Sequence, residues 1–500
     1  MSDARVRRRT RNGSGECSST SVPSARCRRR TGSPWEVMLP ELHRRSVVVI
    51  GAGPVGCALA LLLRRQGLEV DVFEREPESV GGGSGHSFNL TLTLRGLGCL
   101  PRSVRRRLYL QGAVLVKRII HHRDGAISTQ PYGTSDTHHL LSIPRRVLQD
   151  ILRDQALRVG ARIHYGRACV DVDTGRPAAL LRDGDGGTSW VEADLLVGCD
   201  GANSAVRGAV AAAHPADMWV RRRTIAHGHA EITMDYGDAD PTGMHLWPRG
   251  DHFLQAQPNR DRTFTTSLFK PLTGDGPRPH FTGLPSADAV SEYCATEFPD
   301  VFGRMAGVGR DLTARRPGRL RIIDCAPYHH RRTVLVGDAA HTVVPFFGQG
   351  INCSFEDAAT LAGLLEKFQF ARRDESGTIV EAVADEYSDA RVKAGHALAE
   401  LSLRNLEELS DHVNSRAFLA RRALERRLHE LHPDLFTPLY QLVAFTNVPY
   451  DAVQRMHGEF GAVLDSLCRG RDLRRERDAI IREFVDVYDS GFAAGRLRTG

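Results

Sequence analysis

The sequence predicts an α/β protein: a parallel-stranded βαβ domain, interleaved with a second β-sheet domain and followed by a C-terminal helical region. Three observations predict it. A β-branched run, Ser46 to Ile50 (SVVVI), passes at once into Gly51-Ala-Gly-Pro-Val-Gly56. Two later apolar runs, Asp194 to Cys199 and Thr333 to Val336, end in Asp200-Gly201 and Gly337-Asp338. The stretch around Asn405 reads as helix, with Glu408 and His412 on its face, and residues 460–500 are charged and end RLRTG.

The N-terminal segment stands apart from all of this. Residues 1–45 hold eleven arginines against Asp3, Glu16, Glu36 and Glu41, which accounts for the whole formal charge of +7; the rest of the chain balances at 56 basic and 56 acidic residues. A basic, Ser/Gly/Pro-rich leader with little apolar periodicity cannot bury enough surface to order itself, so residues 1–37 are expected to be a disordered, dispensable extension. A transit peptide has similar composition, and Met38 is an alternative start. The body offers no basic-protein argument for nucleic acid. With 41% hydrophobic and 25% charged residues it has an ordinary globular composition, which excludes wholesale disorder and a polytopic membrane protein. Ten cysteines form no C-x-x-C pair and no tight Cys/His quartet, so neither a disulfide framework nor a metal site is expected, and the cytoplasm is the default compartment.

The first folded unit is complete in sequence. After Gly56 comes a helix-period stretch, Cys57 to Gln66, then Gly67, then a second strand, Glu69 to Phe73, ending in Glu74. In such a unit Gly51 makes the tight turn, Gly53 lets the backbone approach a pyrophosphate, and Gly56 lets the helix pack on the strand. The helix start presents free N–H groups to the phosphates. Glu74, 23 residues after Gly51, is placed to accept hydrogen bonds from a ribose. Val47 to Leu63 is uncharged for seventeen residues, but it carries three glycines and falls short of the roughly 20 apolar residues of a membrane span. No second GxGxxG follows a strand downstream.

Taken singly, the Asp200-Gly201 and Gly337-Asp338 dipeptides are common turns. In this order, on three strands, the trio resembles the flavoprotein aromatic hydroxylases. The resemblance implies an FAD-binding Rossmann-like (GxGxxG) domain over residues 46–115, 140–215 and 325–370, a substrate-binding sheet domain over 116–139 and 216–324, and a helical region over 371–500. It places FAD against Gly51, Gly53, Val55, Gly56, Glu74, Arg75, Arg145, Asp200, Gly337, Asp338, Gly350, Ile351 and Asn352. Asp338 would bond the ribityl chain, and Asp200-Gly201 would serve both FAD and NADPH. Asn89-Leu-Thr-Leu-Thr-Leu-Arg-Gly96, Pro131-Tyr-Gly133, Asp194 to Gly201, His245-Leu-Trp-Pro-Arg249, Gly337 to Gly350 and Phe436-Thr-Pro-Leu-Tyr440 narrow the likeness to the kynurenine 3-monooxygenase family, over about residues 46–455.

That resemblance implies a carboxylate site for L-kynurenine made by Arg118, Tyr132, Asn405 and Tyr440, with the ring against Pro345 and Phe346. An arginine fork with phenol and amide donors suits a buried carboxylate. Read alone, Arg118 is more often a snorkelling surface arginine, the tyrosines are core residues, and Asn405 shares a polar helix face with Glu408 and His412. Asp124-Gly125 sits between two strand-like runs, Val114 to His121 and Ile127 to Tyr132. A three-residue loop with Gly125 in the left-handed region is expected, because it sends Arg118 and Tyr132 to one face.

The chemistry implied is the flavin's: NADPH reduces FAD, O2 adds at the flavin C4a as a hydroperoxide, and the ring carbon ortho to the amine takes the distal oxygen. An aniline is already electron-rich, so no catalytic side-chain base is expected, and His341 reads as a main-chain-bonded structural histidine. Two departures stand out: His86 replaces a family arginine, and His227-Gly-His229 replaces His-Gly-Tyr, which opens the site to ring-substituted kynurenines. The membrane-anchoring tail of eukaryotic relatives is not expected. An anthranilate-like amino acid is the alternative substrate. A non-catalytic flavin-fold binding protein would not need the loop at 345–350, and a flavin halogenase carries Trp-x-Trp-x-Ile-Pro, whereas the tryptophans at 35, 190, 219 and 247 are isolated.

Overall fold

The computed structural model describes residues 45–493 apart from 79–87, 134, 236, 275–279, 315–316, 372–377 and 411–415. The expectations for residues 1–37, for His86 and for His412 therefore lie outside the described residues.

Apolar runs with no polar face, such as Val47, Val48 and Val49 or Leu195, Leu196 and Val197, suit strands covered on both sides, and each of these residues is buried. They form a six-stranded sheet in the order His329–His330, Thr333–Leu335, Leu195–Gly198, Ser46–Ile50, Glu69–Phe73, Arg162–His164. Its strands pair in parallel except for the two-residue edge strand His329–His330. The helix after the glycine turn is Pro54–Arg65, three residues earlier than the periodicity placed it, because Pro54 takes the first helical position, where its missing N–H costs nothing.

The second sheet has seven strands: Gly318–Ala326, Trp219–Asp235, Thr263–Pro271, Phe253–Pro258, Gly243–Pro248, Lys117–His121 and Ile127–Pro131, in that order. Its two faces read with period two. Trp247, Leu254 and Leu268 pack with the helix Ala287–Glu297 and its neighbours, while Leu246, Phe253 and Phe269 pack toward Phe346. The run Val114 to His121 is two strands rather than one: Ala113–Leu115 pairs with Leu140–Pro144, and after Val116 the chain enters the large sheet as Lys117–His121. The C-terminal part is helical over Thr378–Ser410, Arg416–Leu431, Leu439–Phe445, Tyr450–Cys468 and Arg477–Ala493. Among the described residues no helix is long and apolar enough to cross a membrane.

Candidate active site

Ser46–Ile50 lies between Leu195–Gly198 and Glu69–Phe73, so strand order reverses there, and crevices open at the carboxyl ends of such strands. The turns at those ends are Gly51 to Gly56, Glu74, Asp200-Gly201 and Gly337-Asp338. Turns from three distant parts of the sequence, the βαβ unit over 46–74, Asp200-Gly201 and Gly337-Asp338, therefore meet at one crevice.

Two of the three turn glycines are required by the fold itself. A Cβ on Gly51 would lie 2.5 Å from the Cys199 carbonyl oxygen, and one on Gly56 would lie 2.0 Å from the Gly51 carbonyl oxygen. A Cβ on Gly53 meets no atom within 4 Å. Gly53 therefore keeps clear a space that the protein does not fill, at a helix start with no side-chain cap. Glu74 is aimed by its own backbone surroundings, accepting the Ala52 N–H at 2.8 Å and the Glu76 N–H at 3.1 Å. Arg75 beside it is exposed and pairs with Glu76 at 3.5 Å.

Asp200 works locally as well. Its Oδ2 accepts from the N–H groups of Ala205 at 2.6 Å and Val206 at 3.2 Å, capping the helix Ala205–Ala213. Its Oδ1 is buried without a partner, and burial pushes the carboxyl above its ordinary range. Arg207, 1% exposed, donates to the carbonyls of Ala202 at 2.6 Å and Ala339 at 2.7 Å, bolting the two aspartate turns together. Asp338 is different: its side chain reaches solvent, and no described residue hydrogen-bonds its carboxylate. Protein nevertheless crowds it closely enough that desolvation raises its pKa, with the charges of His341 and Arg145 opposing the rise.

The helix Gly350–Lys367 begins at the same crevice with no side-chain cap on its first N–H groups. The Asn352 side chain is consumed within the protein, accepting from Thr93 N–H at 2.9 Å and donating to the Thr91 and Gly348 carbonyls, so what Asn352 and Ile351 offer a ligand is backbone N–H. Gln349 is a residue the sequence reading passed over: it is 1% exposed, and its Nε2 is buried without a partner. His341 departs from expectation. Its ring Nε2 meets the buried Asp357 carboxylate at 2.6 Å rather than a main-chain group, and that charge, against the cost of burial, raises its pKa well above the usual histidine value.

The second cluster gathers at the large sheet. The hairpin loop is Arg123-Asp124-Gly125, three residues closed by His122 N–H to the Ala126 carbonyl, with Gly125 at φ +83°. Arg118 pairs with Gln130, so Tyr132, two residues on, shares its face. Both are buried. The Arg118 guanidinium lies 5.7 Å over the Tyr440 ring, Tyr132 stacks on Tyr440 at 5.5 Å, and Tyr440 stacks on Phe347 at 5.6 Å. Arg118 Nε and the Tyr132 hydroxyl are buried without hydrogen-bond partners, and no carboxylate among the described residues pairs with Arg118. Burial pushes the Tyr440 phenol up to about 12 and Tyr132 higher still, so both stay neutral donors. Asn405, 4% exposed, spends one N–H on the Phe346 carbonyl at 2.7 Å and so joins the cluster through that loop. Phe346 is buried against Phe253 and Phe269, and Pro345 is exposed. A buried cation and donors with nothing to satisfy them form a receptor for an anion that is also aromatic or amphipathic.

The family described as FAD binding domain matches residues 44–402. Kynurenine 3-monooxygenase of Dictyostelium discoideum is 30% identical over 443 residues, covering 86% of this chain and 95% of that one. Kynurenine 3-monooxygenase of Salinispora tropica is 36% identical over 427 residues, covering 83% and 91%. Among solved structures, 2-methyl-3-hydroxypyridine-5-carboxylic acid oxygenase superposes with a TM-score of 0.61 at 19% identity, over 82% of this chain and 98% of that one, a likeness of fold.

Proposed function

Because the chain belongs to the kynurenine 3-monooxygenase family and is an FAD-dependent monooxygenase, we propose that it hydroxylates L-kynurenine at the ring carbon ortho to the amine, with NADPH as reductant and O2 as oxidant. The observation that carries the substrate is Arg118: a buried guanidinium facing two unsatisfied or neutral phenols, with no carboxylate of its own. The amino-acid carboxylate of kynurenine would complete it, helped by Tyr132, Tyr440 and the second N–H of Asn405. The ring would lie against Pro345 and Phe346.

The crevice fits FAD on three counts: the space kept by Gly53, the open carboxylate of Asp338, and the uncapped helix start at Gly350. Gly51, Gly53, Val55 and Gly56 would take the pyrophosphate, Glu74 and Arg75 the adenosine end, Asp338 the ribityl chain, and the N–H groups of Gly350 to Asn352 the pyrimidine edge, with Arg145 and Asp200 flanking. FAD, when bound, supplies the redox and oxygen-transfer chemistry. The protein's own task is to hold the substrate by its carboxylate and exclude water from the ring. Burial keeps Tyr132 and Tyr440 protonated, so neither serves as a base, and the aniline needs none.

A second reading is favoured by His229. It stacks on Phe269 at 6.0 Å, Phe269 meets Phe346 at 5.5 Å, and His229 Nδ1 is buried without a partner. A hydrogen-bonding ring substituent on kynurenine would satisfy that nitrogen. Purified protein is expected to oxidise NADPH faster with L-kynurenine than without it; equal rates would contradict the substrate assignment.

The two glycines separate fold from ligand. Gly53→Ala is expected to cost no more than about 1 kcal/mol of stability, since its backbone is extended and its surroundings are open, yet to weaken FAD retention. Gly56→Ala is expected to lose on the order of 1–3 kcal/mol or more through the clash with the Gly51 carbonyl. Thermal melting and FAD absorbance after gel filtration distinguish the two.

A further inference from the structure

Arg95, in the family-like string at 89–96, has no part in either cluster above, yet it is 2% exposed. It sits on the short helix Leu94–Gly98, where Gly96 allows an unusually close approach: a Cβ there would lie 2.2 Å from Asn352 Oδ1 on the helix Gly350–Lys367. Its guanidinium donates to the carbonyls of Val443 at 3.0 Å and Val448 at 2.6 Å, and more distantly to Leu442 at 3.4 Å. These are the last-turn and exit carbonyls of Leu439–Phe445, the helix that carries Tyr440. The same group stacks 4.1 Å over the Tyr450 ring.

Arg95 is held in turn. Glu356 pairs with it at 2.8 Å and with Arg391 at 3.4 Å. Arg391 reaches Asp357 at 2.5 Å, and Asp357 accepts the Gly337 N–H at 3.1 Å. Charges thus alternate in sign from the end of the Tyr440 helix to the turn that bears Asp338. An ion pair that only filled space would be served as well by apolar packing. Here the free donors of Arg95 go to the one helix whose seating sets Tyr440.

We infer that Arg95 and Glu356 are positioning residues for Tyr440, and that the chain Arg95, Glu356, Arg391, Asp357 ties the seating of the substrate carboxylate to the flavin-side turn. The ligand's identity rests on the reading above; the positioning role does not. The test uses FAD-loaded protein with Glu356→Gln, which keeps the shape and removes the charge. Amide hydrogen exchange over residues 439–448 is expected to accelerate, FAD content to hold, and the L-kynurenine dissociation constant to rise by about tenfold, the scale of a transmitted coupling. Adding Tyr440→Phe to Glu356→Gln is expected to weaken binding less than Tyr440→Phe alone. Unchanged exchange in that segment, or two effects on binding that multiply independently, overturns the inference. If Glu356→Gln does not fold, Arg95→Lys, which keeps the charge and loses the fork, is read by the same two measurements. If the wild-type protein binds no kynurenine, the substrate reading has failed, and the exchange comparison alone decides the positioning role.

Discussion

Arg118→Ala keeps its FAD and its fold and loses kynurenine-stimulated NADPH oxidation. Arg118 lies on Lys117–His121, remote in sequence from every crevice turn, and pairs with no carboxylate among the described residues, so its removal strands no buried charge in the free protein and takes away its contact with the Tyr440 ring. With substrate bound, the loss of a desolvated, bidentate charge pair costs roughly 2–5 kcal/mol. At about 1.4 kcal/mol per decade that is about 30-fold weaker binding or more. Arg118→Lys recovers part of it, since an ammonium keeps the charge without the fork. Titration of the flavin spectrum with L-kynurenine measures all three proteins. Binding by Arg118→Ala as tight as wild type would show that the carboxylate site lies elsewhere.

Asp338→Ala loses FAD without losing the fold. The carboxylate reaches solvent and has no hydrogen bond from a described residue, so its removal takes no interaction from the folded state. The FAD-free variant is therefore expected to melt no lower than FAD-free wild type. Ribityl hydroxyls left without their acceptor cost on the order of 1–3 kcal/mol, or roughly 5- to 150-fold in FAD affinity. Asp338→Asn, which retains a carbonyl acceptor, falls between. Full, tightly held FAD in Asp338→Ala after dialysis would remove Asp338 from the cofactor site.

The parts of the structure that were legible in sequence are those set by local chemistry. The glycine turn, the strands on either side of it and the acid after the second strand fall within thirty residues and obey steric rules that a single chain segment displays. The hairpin register followed from loop length and the parity of Arg118 and Tyr132. What stayed hidden is long-range. The break at Val116, where the chain leaves one sheet for another, falls inside a run, Val114 to His121, with no Gly, Pro or turn residue to mark it. The resemblance places Asn352 against FAD without saying which of its groups is free; its side chain is spent on the Thr91 and Gly348 carbonyls and the Thr93 N–H, partners chosen by how the helix Gly350–Lys367 packs. His341 bonds Asp357, sixteen residues on, because both sit in the turn-helix corner that the Gly337 N–H also enters. Arg95 and Glu356 are 261 residues apart, and nothing short of the packed helices brings them together.

The central claim, that the crevice and the Arg118 cluster together oxygenate kynurenine, is tested most directly by product analysis. FAD-loaded protein is supplied with NADPH, L-kynurenine and heavy-isotope dioxygen, and the product is examined by mass spectrometry and ring-proton NMR. One labelled oxygen atom on the carbon ortho to the amine, formed in proportion to NADPH consumed, is the predicted result. NADPH consumption with hydrogen peroxide as the sole oxygen product, and kynurenine recovered unchanged, would contradict it.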